Sequence, residues 1–344
     1  MKKVLVTGGL GYIGSHTVVE LLEKKYKVYI LDSLINSNLE VLDNIQKIVG
    51  KILSNNLCFY KINLLNINIL KKKCKEIGEI DFCIHFASLK SVGESVTNPI
   101  LYYNNNLVST LNLLKSLELC NCNKLVFSSS ATVYGDSKSP LVEDSNIGNG
   151  ITNPYGQTKF MIEQILKDYT KSRENFSVIS LRYFNPIGNH SSGLIRDNPK
   201  GIPNNLMPYI QQVLTGERDF LTVFGNDYNT HDGSGVRDYI HVTDLSKGHI
   251  MALKKIEKED NNYSVYNLGT GKGYSVLDLV KEMEKVSGRK IPLKIGDRRP
   301  GDLDIVFCNP EKAKKILQWE ADKNITDMCS DCWNSIKNGA NDPK

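Results

Sequence analysis

A chain of 344 residues carrying a net charge of +5 can bury a sizeable core and suits one large α/β domain with a smaller lobe. The charge is spread out: Lys71-Lys72-Lys73 and Lys312 to Lys315 fall in helix-patterned segments without interleaved aromatics or arginines, which argues for solvated faces and against a nucleic-acid groove. No apolar run approaches the roughly 18 residues of a membrane span and the N-terminus enters a strand at once, so a cytoplasmic protein is expected.

The first element is an apolar run, Lys3 to Val6, followed by Thr7-Gly8-Gly9-Leu10-Gly11-Tyr12-Ile13-Gly14 and a helix-patterned segment. A strand that turns through glycines onto a helix N-terminus makes a dinucleotide pyrophosphate site. Gly8 allows the tight turn, Gly11 the close approach of backbone to phosphate, and Gly14 close packing of helix on strand. The GxxGxxG spacing is that of short-chain dehydrogenases and reductases. The next strand, Val28 to Leu31, ends on Asp32, about 20 residues beyond the glycines. An acid there accepts from both ribose hydroxyls and repels a 2′-phosphate, which favours NAD over NADP; Asn36 is a candidate to hold the same sugar.

Apolar or β-branched runs recur at 57–62, 82–86, 124–128 and 176–182, separated by helical patterns. This alternation predicts a doubly wound parallel sheet of Rossmann type. Cys58 and Cys83 fall in these runs as small buried hydrophobes. Cys120-x-Cys122 and Cys329-x-x-Cys332 have no histidines at ligand spacing, so no metal site is expected and the eight cysteines read as free thiols of a reducing compartment. From about residue 183 the pattern gives way to Gly/Pro/Asn-rich loops, which in such folds hold substrate. Ser275 to Asp278 then has capping-box spacing ahead of an apolar helix, so the C-terminal lobe, α/β in kind, has structure of its own. Residues 1–182 are expected to form the dinucleotide-binding domain, completed by part of 237–268, and 183–344 mainly a smaller, discontinuous substrate lobe.

Three features fall at the C-terminal edge of the sheet, where such folds bind ligands: Ser128-Ser129-Ser130, Tyr155-Gly156-Gln157-Thr158-Lys159 and Tyr183-Phe184-Asn185. In Tyr-x-x-x-Lys the side chains lie one helical turn apart and share a face. A phenol of pKa near 10 needs a cation beside it to act as a base at neutral pH. Lys159 supplies one, an oxidised nicotinamide another. Ser130 is placed to hydrogen-bond the reacting hydroxyl and the tyrosine oxygen. As a bare pattern Tyr-x-x-x-Lys is commonly a surface pair; its position about 25 residues after the serine-rich strand end makes it catalytic here.

The segments Gly8 to His16, His85 to Ser95, Ser128 to Gly135, Arg182 to Gly188, Gly201 to Tyr209 and Gly235 to Val242 resemble the UDP-glucose 4-epimerase family of extended short-chain reductases. The resemblance runs from Met1 to about Trp333, and is most specific in Ser-Ser-Ser-Ala-Thr-Val-Tyr-Gly and Gly-Ile-Pro-Asn-Asn-Leu-Met-Pro-Tyr. It implies that Tyr155 takes the proton of the sugar 4-hydroxyl while hydride passes from carbon 4 to NAD+, and that the 4-keto sugar turns and takes the hydride back on its other face. Lys159 would hold nicotinamide ribose and bias the tyrosine, with Ser130 positioning the hydroxyl.

The resemblance further implies cofactor contacts at Tyr12, Ile13, Asn63, Leu64, Phe86, Ala87, Asn105 and Tyr183, and at Lys90 for the pyrophosphate. The UDP-sugar would meet Asn185, Asn205, Leu206, Phe224, Arg237, Arg299 and Asp302. The arginines suit a diphosphate as planar, permanently charged, bidentate donors. Four positions beyond Asp302, Val306 would form the wall facing the sugar 2-substituent; family members carry a bulky tyrosine or a small residue there, and the small valine implies activity on UDP-N-acetylglucosamine and UDP-N-acetylgalactosamine as well. Helices around 100–119 and 155–171 would form a homodimer interface.

Three positions depart from the family pattern. Asn63 stands where an aspartate usually accepts from the adenine amino group, Ser88 replaces a common glycine, and Pro300 replaces a frequent glutamate. A sugar-nucleotide 4,6-dehydratase would need a carboxylic acid beside the catalytic serine, where this chain has Ala131 and Thr132. Uronate epimerases and decarboxylases fit the Gly201 to Tyr209 segment poorly, and a non-catalytic NAD-sensing protein would be expected to lose Tyr155 or Lys159.

Overall fold

The computed structural model describes residues 1–197, 203, 205–260, 262–299 and 301–340; Gly201, Ile202 and Asn204 of the specific motif, and Pro300, lie outside them. The chain runs β1 (Lys3–Thr7), α1 (Tyr12–Glu23), β2 (Lys27–Asp32), α2 (Glu40–Ser54), β3 (Leu57–Lys61), α3 (Ile67–Ile77), β4 (Phe82–His85), α4 (Val92–Thr97), α5 (Pro99–Leu117), β5 (Lys124–Ser130), α6 (Pro154–Lys171) and β6 (Ser177–Tyr183). There follow β7 (Asn185–Ile187), α7 (Leu206–Leu214), β8 (Leu221–Phe224), β9 (Val236–His241), α8 (Val242–Ile256), β10 (Tyr263–Leu268), β11 (Gly273–Ser275), α9 (Val276–Ser287), β12 (Leu293–Gly296), β13 (Ile305–Val306) and α10 (Ile325–Ala340).

Seven strands form one parallel sheet in the order β10-β6-β5-β4-β1-β2-β3. Successive side chains of a strand point to opposite faces, and β1 and β2 divide accordingly. Val4, Val6, Val28 and Ile30 join one apolar layer with α1, α2 and α8; Leu5, Tyr29 and Leu31 join the other, with α3, α5 and α6. Both faces are covered, which is why these strands read as near-continuous apolar runs. β3 is the exception. It closes one edge, its residues are only half-buried, and Cys58 is therefore partly exposed rather than part of the core. All eight cysteines are free thiols.

Beyond Tyr183 the chain is more regular than its composition suggests. A second apolar cluster gathers Met207 and Ile210 of α7, Tyr239 of β9, Leu279 and Met283 of α9, and Cys329, Cys332 and Trp333 of α10. β9 pairs with β7, β11 and β13, and β8 with β12. The expected capping box is formed: Ser275 Oγ accepts from Asp278 N at 2.9 Å, and Asp278 accepts from Ser275 N at 3.0 Å. Meanwhile α8 packs on α1, and Thr17 Oγ1 donates to Ser246 Oγ across that contact at 3.3 Å.

Gly8 takes φ +69°, which an L side chain rarely adopts, and a Cβ there would lie 2.7 Å from Ala87 N. Gly9 is the residue that admits the strand, with an added Cβ 3.0 Å from both γ-carbons of Ile30. Gly14 closes the turn on itself, since its Cβ would lie 2.3 Å from the Gly8 carbonyl oxygen and 2.9 Å from Gly9 Cα. Backbone cannot yield as a flexible side chain does. Gly14→Ala is expected to lower unfolding stability by about 1–3 kcal/mol through overpacking, read as a fall in the urea midpoint; an unchanged midpoint would mean that the turn relaxes freely.

Candidate active site

The start of α6 is fixed by Asn153-Pro154. Asn153 caps the helix, its Oδ1 accepting from Gly156 N at 2.8 Å, and Pro154 occupies the first helical position. Tyr155 follows at once. Gly156 then lets the first turn press against the segment after β5: a Cβ there would meet Ile151 at 2.8 Å and Thr132 at 3.2 Å. Thr132 in turn donates to Ser130 Oγ from its backbone N at 3.2 Å and from its Oγ1 at 3.0 Å. Ser130 is thereby held near Tyr155, where its hydroxyl works against the upward push that burial gives the phenol pKa.

Lys159, one turn further, is buried to 2 % exposure. Its Nζ donates to the Ser128 carbonyl at 2.7 Å and lies 4.9 Å from the Phe127 ring centroid and 5.8 Å from that of Tyr155. Burial pulls its pKa down from 10.5 to about 7, and the Glu163 carboxylate opposes the fall. Beneath it His85 bridges Thr7 and Thr110 and is pushed to about 3 by burial and by Lys159, so it adds no charge. Tyr183 donates to His249 Nε2, whose Nδ1 is bonded to the Leu245 carbonyl at 2.9 Å. The Phe86 ring lies 4.8 Å from that of His249. Tyr155, Lys159, Ser130 and Tyr183 are thus brought to one edge, at the C-terminal ends of β5 and β6.

The other half of that edge is a cradle for a diphosphate. Gly11 is the N-cap of α1 and offers no side-chain cap, so the N–H groups of Tyr12, Ile13 and Gly14 point out of the helix end, where partial positive charge gathers. A Cβ at Gly11 would come 3.3 Å from the Gly8 carbonyl oxygen. Asp32 closes the cradle: Oδ2 accepts from Leu10 N at 3.0 Å, and Oδ1 from Leu34 N at 2.9 Å and Ser37 Oγ at 2.7 Å. A carboxylate has about four lone-pair sites, so Asp32 retains room for ribose hydroxyls. These residues fit NAD. Asn36 is exposed, and its neighbour Ser37 is the one that reaches Asp32. Asn63 is exposed and spends its Oδ1 on Leu65 N at 3.0 Å, while Leu64 is buried. Ala87 lies against the turn through the contact of its N with Gly8, Asn105 is half-buried on α5, and its neighbour Asn106 holds Leu89 at 2.9 Å and Thr158 at 3.0 Å.

The expected substrate residues lie beyond β6, on short strands, the start of α7 and loops. Asp302 draws two arginines together, Arg237 Nη2 at 3.5 Å and Arg299 Nε at 3.3 Å, and the Arg299 guanidinium stacks 4.7 Å from the exposed Phe224 ring. Val306 pairs with Arg237 in the β13–β9 ladder and packs on the cluster of Val133, Tyr134 and Phe184. Asn185 is exposed at the start of β7, and Leu206 is half-buried in the second core. Asn205 and Lys90 both turn to one acid, Asp197, at 3.3 and 3.6 Å, and Tyr12 donates to the Gly188 carbonyl at 2.5 Å. Apart from this edge, His231 meets Asp232 and Asp278 at 3.5 and 3.1 Å, where the carboxylates already tie the loop to the capping box.

Sequence reasoning missed Ser128, whose carbonyl rather than side chain holds Lys159, and it missed Gly156, Glu163, Arg182 and His249. Glu163 had a legible signal, since it lies four residues beyond Lys159 on the same helical face. His249 had none: it reaches Tyr183 from α8, 66 residues away.

Because the folded pKa of Lys159 lies below its unfolded value of 10.5, folding disfavours its proton. The penalty is full below pH 7 and vanishes as pH rises to 10.5, so this group makes stability increase across that window. Lys159→Met is expected to raise the urea midpoint at neutral pH, by an amount that shrinks towards pH 10.5. The gain is on the order of a few kcal/mol. Equal stability of the two proteins at pH 7 would show that the ammonium is not held at a cost.

The model of the family described as GDP-mannose 4,6 dehydratase matches residues 5–332. A UDP-glucose 4-epimerase of Bacillus subtilis is 53% identical over 96% of this chain and 95% of its own length; UDP-glucose 4-epimerase 2 of Arabidopsis thaliana is 52% identical over 98% and 95%. The crystal structure of the Bifidobacterium longum UDP-glucose 4-epimerase in complex with NAD+ and UDP superposes with a TM-score of 0.93 at 46% identity, covering 99% of each chain. With the tyrosine, lysine and serine at one edge of a parallel sheet and the glycine cradle at its other half, this chain belongs to the UDP-glucose 4-epimerase family of extended short-chain reductases.

Proposed function

We propose that the protein interconverts UDP-glucose and UDP-galactose by NAD-dependent oxidation and re-reduction at sugar carbon 4. The observation that carries this is the convergence of Tyr155, Lys159 and Ser130 beside a cradle that fits NAD. The bound cofactor supplies a reversible acceptor for the carbon 4 hydride. Tyr155 removes and returns the hydroxyl proton, Lys159 holds the phenolate by its charge, and Ser130 orients the hydroxyl. Tyr183 and Phe86 pack the nicotinamide side. Lys90 reaches the pyrophosphate of the cofactor, and Arg237 and Arg299 the diphosphate of the substrate, which replaces Asp302 as their anionic partner.

A cleft between two lobes follows from this reading. Residues 1–182 with part of 237–268 carry the cofactor, supported by the entry of β10 beside β6, and the remainder carries the sugar nucleotide. We assign a second copy of the chain as partner of the α5–α6 face, on which Ile100, Leu101, Leu111 and Met161 are exposed. The eight free thiols suit a reducing, cytoplasmic setting. Among the described residues no helix is long and apolar enough to cross a membrane.

The direct test is conversion of UDP-galactose to UDP-glucose, followed by NMR without added reductant. Tyr155→Phe keeps the ring packing and removes the ionisable oxygen; loss of general-base catalysis costs about 10²–10⁴ in rate, with UDP-sugar affinity retained. Turnover within a few-fold of the parent would remove Tyr155 from this role.

Val306 extends the reading to acetylated substrates. Its side chain, paired with Arg237 in the β13–β9 ladder, is short where a tyrosine would fill the wall, which favours acceptance of a 2-acetamido group. Val306→Tyr is expected to keep the hexose reaction and lose conversion of UDP-N-acetylglucosamine, since overpacking such a wall costs about 1–3 kcal/mol. An unmutated protein inactive on UDP-N-acetylglucosamine, or a tyrosine variant that still handles both pairs, overturns this assignment.

A further inference from the structure

Directly behind the catalytic edge lies a buried ion pair that the reaction does not use. Glu163 and Arg182 are 1 % and 2 % exposed. Arg182 makes two parallel bonds, Nη2 to Oε2 at 2.7 Å and Nε to Oε1 at 3.0 Å. The same Oε1 accepts from Ser129 Oγ at 2.5 Å. Arg182 is held from its far side as well, Nη1 donating to the Glu143 carbonyl at 3.0 Å and the guanidinium stacking 4.8 Å from the Tyr134 ring.

Stability gives no reason for such a pair, because replacing a buried ion pair by well-packed apolar residues is often neutral or stabilising. Its placement does. Tyr155, Lys159 and Glu163 succeed one another at four-residue intervals along α6 and so share one face. Ser129, which Glu163 holds, stands between Ser128, whose carbonyl takes the Lys159 ammonium, and Ser130, which meets Tyr155.

We propose that Glu163 is the positioning residue of the catalytic centre: one carboxylate oxygen pins the Ser128–Ser130 strand end that receives the Lys159 ammonium, and the carboxylate stands one helical turn beyond Lys159 on the same face of α6. The proposal rests on Tyr155 and Lys159 acting as assigned above. The groups facing Lys159 are few. From its own helix come Tyr155 and Glu163, and from β4 the neutral His85. β5 presents the Phe127 ring and the Ser128 carbonyl. Tyr263 of β10, Tyr134 and Glu143 lie beyond, around the ion pair. Among the described residues Glu163 is the charged group that favours the protonated lysine. Arg182 is bound to Glu163 and held on its far side by Glu143 and Tyr134.

The consequence has a definite sign. Without the Glu163 charge Lys159 loses its proton at lower pH, the phenolate loses its cation, and Tyr155 becomes harder to ionise. The test uses the NAD-loaded protein with Glu163→Gln, which keeps shape, and with the double replacement Glu163→Leu/Arg182→Met, which removes both charges and keeps the centre buried if the first variant fails to fold. Tyr155 ionisation is read as the phenolate absorbance difference between each protein and its own Tyr155→Phe partner, and kcat and KM for UDP-galactose are followed against pH.

A rise of about one unit in the Tyr155 midpoint is expected, corresponding to a tenfold change in the equilibrium. With it should come a fall of about tenfold in kcat at neutral pH, an alkaline limb moved to lower pH, and an unchanged KM. A folded variant of either kind with the original Tyr155 midpoint and kcat profile overturns the proposal. A shifted midpoint in a protein that does not convert UDP-galactose would instead uphold the positioning role and remove the proposed function.

Discussion

The edge that carries Tyr155 and Ser130 depends on keeping one ammonium group out of water. Lys159 loses its hydration and is given back one carbonyl, one aromatic face and the field of one carboxylate. Such a group is stable only where backbone and helix are both fixed, because an imperfectly satisfied buried charge is costly. The Asn153 cap, Pro154, the close contact at Gly156 and the Ser129–Glu163 bond all serve that fixity, and in doing so set Tyr155 against Ser130.

The parallel sheet explains why chemistry collects here. β1, β4, β5 and β6 run in the same direction, so the glycine turn, His85, the serines and Tyr183 all emerge at one edge. Helices covering both faces exclude water from the strands, and the same burial that stabilises the core shifts the proton affinities of Lys159, His85 and His249. The segment beyond β6 is built differently, from polar and charged side chains on short strands and loops, with Asp302 gathering two arginines and Asp197 gathering Lys90 and Asn205. These pairs lie near the surface, where ion pairs contribute little to stability.

Much of the first half was legible because its signals are local. Leu10 N–H ties the glycine turn to Asp32, and six of the seven strands of the large sheet announced themselves by an apolar run; the seventh, β10, is a mixed polar segment that joins the sheet from 80 residues beyond β6. The second half was not, because its strands are short, polar on one side and paired across long sequence distances, as β9 is with β7, β11 and β13. Cys58 was misplaced for a related reason: a run of strand-forming residues does not say whether its strand is central or at an edge.

The glycine turn, the acid that ends the second strand, the Tyr155–Lys159 spacing and the family they belong to could be read from the chain alone, since each is set by residues close together in it. Only the tertiary structure decided that Ser128 offers its carbonyl to Lys159, that Arg182 and Glu163 form a buried pair behind it, and that His249 holds Tyr183. Those contacts join residues 19 to 66 positions apart, and which side chains meet at such separations is fixed by the packing of helices on a sheet rather than by any local preference.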